Sequence, residues 1–484
     1  MPPRVAKRRL ALLAWLAASW LLLACAPALA HATLVGASPP QGSEVSKAPA
    51  RVELRFSEPV DAEFDPVVVR DGGGVRVDKG DARVNPEDAR VVLADLKKLP
   101  GGSYTVKWRV TSIDGHVVEG RYVFAVGGTV DHGKDEHGPA RSHHEEAQGA
   151  AGPKAEDRGT GHPDRGPERE HQGGHHGGHQ GGHSGHAPPG RLGPMAEIDH
   201  GFALAASVLL AGLAPFAALV WLPASREVGE GREALVAFGP LAWALLCALA
   251  FAGAGEVSIY AVRASGEPLG LALFRDALLE SRVGAAWLAR LGFGLLTAAA
   301  ISAALRWERA WPWLCAVGTG GLLLMTLSGL SHAAATGRFL PLAADWVHAM
   351  AAAIWTGGLL GFAIAVFSGP LRGLPPDRRT KLRERSVRRF SLLATSAVAV
   401  LAVTGLYAAL IHVPSPEALV VTPYGRALLV KLGLLAAVLA VGASYLLLRG
   451  RGPFGRLIVV ELLLALALFV ATGFLTSLPP ASGT

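Results

Sequence analysis

Residues 199–223 read DHGFALAASVLLAGLAPFAALVWLP, and this stretch decides the fold class of the C-terminal half. Asp199 is its only formally charged residue, and the apolar run is long enough for a helix that crosses a bilayer, which needs about 20 residues. Seven more stretches share this character, so residues 195–484 are predicted to form an all-α membrane domain. The predicted spans are 199–223, 234–256, 283–305, 311–332, 344–368, 390–412, 425–448 and 456–478. Residues 267–282 (EPLGLALFRDALLESR) are typical of a helix in the membrane interface.

Basic residues are distributed unequally between the loops that join these spans. Fifteen Arg and Lys residues follow the odd-numbered spans, and about six lie on the opposite side. Because positive loops stay in the cytoplasm, both ends of the membrane domain are predicted to face the periplasm or outside, across an inner (cytoplasmic) membrane. The net charge of +7 is thus explained by topology in a lipid bilayer, and nucleic acid is not expected as a partner.

The first 30 residues have the layout of a secretory signal peptide. Basic residues in MPPRVAKRRL precede an apolar run, and the small-residue site ALA (28–30) lies directly before His31. Cleavage there would make His31 the first residue. Two alternatives stay open: an uncleaved anchor helix, and lipidation at Cys25 in the box LLAC (22–25), which would leave His31 without a free amine.

The sequence changes character twice between the signal and the membrane domain. Within residues 31–126, alternating apolar and polar runs occur at 51–57, 66–70, 90–94, 104–111 and 117–126. Short strands at this spacing predict an all-β immunoglobulin-like (Greek-key) sandwich. Residues 127–194 are rich in Gly, Pro and charged groups and contain eleven histidines, and this composition predicts a disordered linker. Such tracts bind transition metals weakly, and a purely flexible linker is the alternative.

A candidate metal site combines the predicted N-terminus with the motif SIDGH (112–116). Asp114 and His116 are two residues apart, and in a strand this spacing places side chains on one face. With the amine and ring of His31 they would supply three nitrogens and one oxygen, which suits the tetragonal preference of Cu(II). Methionine is absent from residues 31–194, so no thioether site for Cu(I) is predicted there.

Two resemblances extend this interpretation. HATLVGASPPQGSEVSKAPARVELRFSEPV (31–60) resembles the opening of the CopC family of periplasmic copper-binding proteins, and LPGGSYTVKWRVTSIDGHVVEGRYVFAV (99–126) resembles its closing strands. This resemblance implies that His31, Asp114 and His116 are the Cu(II) ligands. DWVHAMAAAIWTGGLLGFAI (345–364), RRFSLLATSAVAVLAVTGLYAAL (388–410) and TPYGRALLVKLGLLA (422–436) resemble the CopD family of copper-resistance membrane proteins. A CopC–CopD fusion is implied, with a role in copper homeostasis and resistance.

Ionisable and sulfur-containing side chains near the outer ends of the predicted spans form a candidate copper path. Such groups are costly in a membrane and are often functional. The candidates are His200, His332, Asp345, His348, His412 and Met325. Asp345 and His348 are three residues apart on one helical face. Met325 and His332 are seven apart, where a thioether would suit Cu(I), although packing explains Met325 as well. Glu256 and Arg290 are expected to form a buried structural pair.

The predicted function is capture of Cu(II) outside the membrane and delivery of copper to the membrane domain for import. Periplasmic copper donors are candidate partners. The sequence contains no GxxxxGK[ST] motif, and we expect a protein that is not an enzyme. Two alternatives remain: sequestration without transport, and a redox protein in which paired histidines bind haem.

Overall fold

The computed structural model describes residues 32–113, 115–127, 193–229, 232–335, 338–367, 374–447 and 454–478. The predicted signal peptide (1–30), His31, Asp114 and residues 128–192 of the predicted linker lie outside the described residues. Within them the chain forms an N-terminal β domain and a helical membrane domain.

The β domain consists of two sheets. The strands are β1 (Leu34–Ser38), β2 (Glu44–Val45), β3 (Arg51–Phe56), β4 (Val60–Asp61), β5 (Val67–Asp71), β6 (Arg83–Asn85), β7 (Asp88–Asp95), β8 (Gly102–Ser112) and β9 (Val117–Val126). One sheet has the order β1-β3-β7-β6, and the other has the order β2-β9-β8-β4, with β5 also paired to β8. The β8–β9 ladder is antiparallel and continuous from Gly102↔Val126 to Thr111↔Val117.

Alternation of apolar and polar residues explains how the two sheets pack. In β3, Val52, Leu54 and Phe56 are buried, whereas the residues between them face outward or are half-buried. The ring of Phe56 meets Trp108 of the other sheet edge to face, with centroids 5.2 Å apart. The predicted β domain is confirmed, but the short strands β1, β2, β4 and β6 were not predicted.

The membrane domain contains eight helices long and apolar enough to span a bilayer, counted over the described residues. They run Met195–Val228, Glu233–Ser265, Arg282–Trp307, Trp311–Ser328, Phe339–Ala365, Pro376–His412, Pro423–Ala443 and Leu457–Thr476. The number of predicted spans is therefore confirmed.

The underlying α-helices are α1 (Gly193–Phe216), α2 (Leu222–Val228), α3 (Phe238–Ser265), α4 (Leu271–Glu280), α5 (Arg282–Trp307), α6 (Trp311–Ser328), α7 (His332–Ala335), α8 (Phe339–Ala352), α9 (Gly358–Phe367), α10 (Pro376–His412), α11 (Ala418–Val421), α12 (Pro423–Leu447) and α13 (Phe454–Thr476). A π-helical turn, Ala217–Trp221, joins α1 to α2, and another, Ala353–Gly357, joins α8 to α9. Helix α4 lies within the stretch predicted to form an interfacial helix.

The first span is the centre of the bundle, because 78% of its most apolar window is buried inside the protein. It crosses the fifth span backbone to backbone at Gly212. A Cβ atom there would lie 2.0 Å from the carbonyl oxygen of Ala353 and 2.7 Å from Cα of Gly357. Only glycine fits this crossing, which brings the first span into direct contact with the π turn of the fifth.

Polar contacts identify which helix ends lie together. His200, at the start of span one, contacts Glu256, near the end of span two. Glu227, at the end of span one, contacts Arg385 and Arg389, near the start of span six. Odd spans therefore begin, and even spans end, at one face of the bundle. The β domain contacts that same face, and we call it the outer face because it is the side predicted to lie outside the membrane.

Candidate metal centre

The hairpin turn between β8 and β9 carries two of the three predicted metal ligands. The backbone N–H of Ser112 donates to the His116 carbonyl (2.8 Å), and that of Gly115 donates to the Ser112 carbonyl (2.9 Å). Gly115 has a φ of 86°, in the left-handed region that favours glycine. His116 lies between the end of β8 at Ser112 and the start of β9 at Val117, and Asp114 lies outside the described residues, so the same-face argument for Asp114 and His116 stays a prediction.

The first described residues lie at the same end of the β domain as this turn. The backbone N–H of Thr33 donates to Ser57 Oγ (3.0 Å), and the N–H of Ser57 donates back to the Thr33 carbonyl (2.9 Å). Three residues beyond Ser57, Val60 pairs with Ser112. The chain that follows His31 thus enters the fold beside the strand that borders the hairpin.

His116 is half-buried, and its Nδ1 atom is shielded from solvent. In the described part of the chain, no three His, Cys, Asp or Glu side chains converge closely enough to hold a metal ion. Two members of the predicted Cu(II) set, His31 and Asp114, lie outside that part, so the set stays a prediction. Imidazole and carboxylate donors are chemically suited to Cu(II).

The hairpin rests directly on the membrane domain. Thr111 Oγ1 lies 3.2 Å from the hydroxyl of Tyr260, in the last turns of α3. A Cβ atom at Gly115 would be in ordinary contact, 3.6 Å, with Val283 at the start of α5. The candidate metal centre therefore faces the outer face of the helical bundle.

His200 belongs to a polar cluster one helical turn below Tyr260. Its Nδ1 lies 2.6 Å from Glu256 Oε1, and Arg290 donates to the other carboxylate oxygen at 3.0 Å. Asp199 packs beside them, since a Cβ atom at Gly255 would lie 2.4 Å from its Oδ2. The predicted Glu256–Arg290 pair is confirmed, and the participation of His200 was not predicted.

His348 in α8 contacts a side chain of another helix. Its Nδ1 lies 2.8 Å from Thr404 Oγ1 in α10. Lys431 of α12 is close enough to interact electrostatically with both Asp345 and His348. Three spans therefore contribute polar groups around this histidine, and neither Thr404 nor Lys431 was among the predicted site residues.

The remaining path candidates are His412, His332 and Met325. His412 is buried at the end of α10, with its ring 6.1 Å from that of Tyr424. Helix α6 ends at Ser328 and His332 begins the short helix α7. The prediction that Met325 and His332 share one helical face is therefore wrong, because the helix is interrupted at Gly329. The His332 side chain lies outside the described residues, and Met325 is partly exposed on the bundle surface.

Sequence reasoning missed Tyr260, whose ring is buried and whose hydroxyl donates to Glu63 Oε2 of the β domain at 2.6 Å. Only a weak signal existed: an aromatic residue at the end of a predicted span is typical of a membrane interface. Glu63 lies 197 residues away in sequence, so no local pattern links the two.

Both domains are similar to known protein families. The CopC domain profile matches residues 34–127, and the profile of copper resistance protein D matches residues 384–475. The chain is similar to the copper transport protein CutJ of Bacillus subtilis (strain 168), with 28% identity over 464 residues, which cover 93% of this chain and 74% of the relative. The relative is thus matched across both domains.

The β domain alone matches shorter proteins. Copper resistance protein C of Pseudomonas syringae pv. tomato is 32% identical over 111 residues, which cover 22% of this chain and 87% of that protein. The protein in the crystal structure of CopC from Methylosinus trichosporium OB3b is 40% identical in sequence over the matched region. The match covers 20% of this chain and 93% of that chain, with a TM-score of 0.19.

Proposed function

The chain belongs to the CopC and CopD copper-resistance family, with both domains in one multi-pass membrane polypeptide, and this is the premise of what we propose for its function. We propose that the protein captures Cu(II) outside the membrane and passes copper inward for import. One observation carries the proposal. The hairpin that holds Asp114 and His116 rests on the outer face of the bundle, directly above the end of α3.

The proposed capture site consists of His31, Asp114 and His116. Support comes from the donor chemistry and from the entry of the chain at Thr33 beside the strand that borders the hairpin. In this proposal the signal is cleaved before His31, so that the free amine completes the site. The histidine-rich segment 127–194 connects capture and membrane domains and adds weak metal sites.

The proposed inward path begins at His200 and continues toward His348. His200 lies one turn below Tyr260, and His348 is the histidine with polar groups from two further spans around it. His412, His332, Asp345 and Met325 stay as further candidates. With the copper ion as cargo, the outer face is periplasmic and periplasmic copper carriers are the proposed donors.

The capture site is tested by replacing His116 with Ala. Cu(II) affinity of the purified chain, measured by competition with a chelator, should fall by several hundred-fold or more, because a nitrogen ligand and its chelate geometry are lost. His186→Ala, in the linker, is the matched control and should leave the affinity unchanged. Equal affinity of His116→Ala and wild-type protein would refute the proposed site.

Transport is tested separately in cells that lack the gene. Import predicts less cytoplasmic copper in these cells, with recovery by wild-type protein but not by His348→Ala, which should keep normal Cu(II) binding. More cytoplasmic copper in the deletion strain would overturn import, and unchanged copper with reduced tolerance would favour sequestration. A Soret band in the purified protein would instead favour the haem alternative.

A further inference from the structure

The β domain and the membrane domain meet at a small surface with specific chemistry, which we call the docking surface. Its members are Asp61, Glu63, Phe64, Thr111 and Val117 on the β domain, and Tyr260, Arg282 and Val283 on the membrane domain. Tyr260 is its centre. The hydroxyl proton of Tyr260 goes to Glu63, so Thr111 donates its own proton to the Tyr260 oxygen.

Apolar contacts surround this polar centre. Phe64 meets the ring of Tyr260 edge to face at 6.4 Å. Phe64 and Val117 pack against a cluster that includes Val257 and Ala277, both fully buried. The contact therefore shields its hydrogen bonds from water, which makes them depend on an intact interface.

Charge is not balanced across the docking surface. Asp61 and Glu63 bring two carboxylates, and Arg282 is the cation that contacts one of them, with its Nη1 3.4 Å from Asp61 Oδ2. Burial raises the pKa of Asp61 above its ordinary value, and Arg282 offsets part of this rise. Burial also raises the pKa of Glu63, although the Tyr260 hydroxyl opposes it. Docking therefore buries more negative charge than it neutralises.

The hairpin with the candidate metal ligands lies immediately beside these carboxylates. Asp61 is the register partner of Thr111, and Val60 is the partner of Ser112. Opposite residues in an antiparallel pair have Cα atoms about 5 Å apart. A dication held at the hairpin would thus lie on the same side of the β domain as Asp61 and would offset part of the negative charge that docking buries.

We propose that the docking surface binds the copper-loaded hairpin more tightly than the empty one, so that copper binding and docking stabilise each other. The identity of the ligand, copper, rests on the proposed function. The contact between the two domains is observed and does not depend on that proposal. Linkage requires the effect to be reciprocal: if copper strengthens docking, docking strengthens copper binding by the same factor. The loaded domain is then docked above His200 for a larger fraction of the time than the empty domain.

The test compares the full-length protein in lipid nanodiscs with the double variant Tyr260→Phe/Arg282→Gln. This variant removes the side-chain polar contacts of Tyr260 and Arg282, and it keeps the aromatic ring of Tyr260 and most of the aliphatic chain of Arg282. The matched control is Tyr104→Phe/Arg275→Gln. It removes the same groups, but Tyr104 donates to Pro100 within the β domain and Arg275 contacts Asp276 within α4.

Two quantities are measured in each protein. The first is Cu(II) affinity by chelator competition, which should fall about 5- to 20-fold in the docking variant, in the range of ordinary allosteric couplings, and not in the control. The second is hydrogen exchange of residues 258–268, which carry no predicted copper ligand. Added Cu(II) should slow this exchange in the wild type and the control but not in the docking variant.

Equal affinities in the wild type and the docking variant, or faster exchange of residues 258–268 on adding Cu(II), would overturn the proposed linkage. Copper uptake by the same proteins in vesicles distinguishes this failure from a failure of the proposed function. Linkage without uptake would refute import alone. Uptake with equal affinities would refute the linkage alone.

Discussion

Neutralisation of Glu256 should strongly destabilise the membrane domain. Its two carboxylate oxygens accept from different partners: Oε1 contacts His200 at 2.6 Å and Oε2 accepts from Arg290 at 3.0 Å. The side chains of Arg290 and Glu256 are only 4% and 17% exposed. In Glu256→Gln the shape is kept, but the arginine loses its only carboxylate contact among the described residues.

The size of the effect follows from burial. Breaking a buried ion pair by removing one partner costs about 3–5 kcal/mol, because the other charge is left uncompensated. We therefore expect Glu256→Gln to lower the free energy of unfolding by about 3 kcal/mol or more. Glu256→Gln/Arg290→Gln should recover part of this loss, since no unpaired charge then remains buried.

The assay is unfolding in mixed micelles titrated with SDS, followed by tryptophan fluorescence. Glu227→Gln is the matched control, because Glu227 also contacts two arginines, Arg385 and Arg389, but at the solvent-exposed opposite face. Exposed ion pairs contribute little, so the control should be close to wild type. If the double variant were no more stable than Glu256→Gln, or if the control lost as much, the unpaired-charge explanation would be refuted.

Three further predictions concern backbone and charge. Gly115→Ala should lower the stability of the hairpin by about 1–2 kcal/mol and weaken Cu(II) binding, because its φ of 86° disfavours a side chain; unchanged chelator competition would contradict this. Gly212→Ala should abolish monodisperse protein in size-exclusion chromatography, since its Cβ would meet the Ala353 carbonyl, whereas Gly292→Ala, with open space around it, should be neutral. Burial acts to raise the pKa of Asp78, but hydrogen bonds from a neighbouring guanidinium and two backbone amides outweigh it, so the pKa is lowered from 3.8. Ionised Asp78 stabilises the folded β domain above pH 3.8, and this stabilisation is lost as the pH falls through the lower native pKa. The free energy of unfolding of Asp78→Asn should therefore depend less steeply on pH in acid than that of the wild type. An identical pH profile for the two proteins would count against this role.

Hydropathy predicted the membrane spans, because each span depends on local composition. Each span contains enough consecutive apolar residues to be recognised alone, and the span predicted at 283–305 is observed as Arg282–Trp307. The sixth span was predicted to start at residue 390, yet α10 begins at Pro376. Its first turns are rich in arginine and lie beyond the apolar run, so hydropathy cannot identify them as helix.

Contacts between distant residues could not be predicted. Glu256 and Arg290 were paired because they are opposite charges in apolar surroundings, but His200 lies 56 residues from Glu256 and no periodicity connects them. The spacing of Asp114 and His116 could not show that strand β8 ends at Ser112, because a two-residue interval occurs in turns as well as in strands. Fine structure such as the break between Met325 and His332 depends on helix ends, which local patterns locate poorly.

Each of the two π turns changes which helical face the residues beyond it present. A π turn adds one residue to a helical turn, so everything beyond it is rotated by about 100° relative to a continuous α-helix. In the fifth span, His348 lies before the turn Ala353–Gly357, and Phe362, whose ring packs 6.0 Å from Phe216, lies after it. The outer half, which carries His348, and the inner half, which packs on Phe216, therefore present a combination of faces that a continuous α-helix would not, and the close packing of the turn on Gly212 fixes this offset.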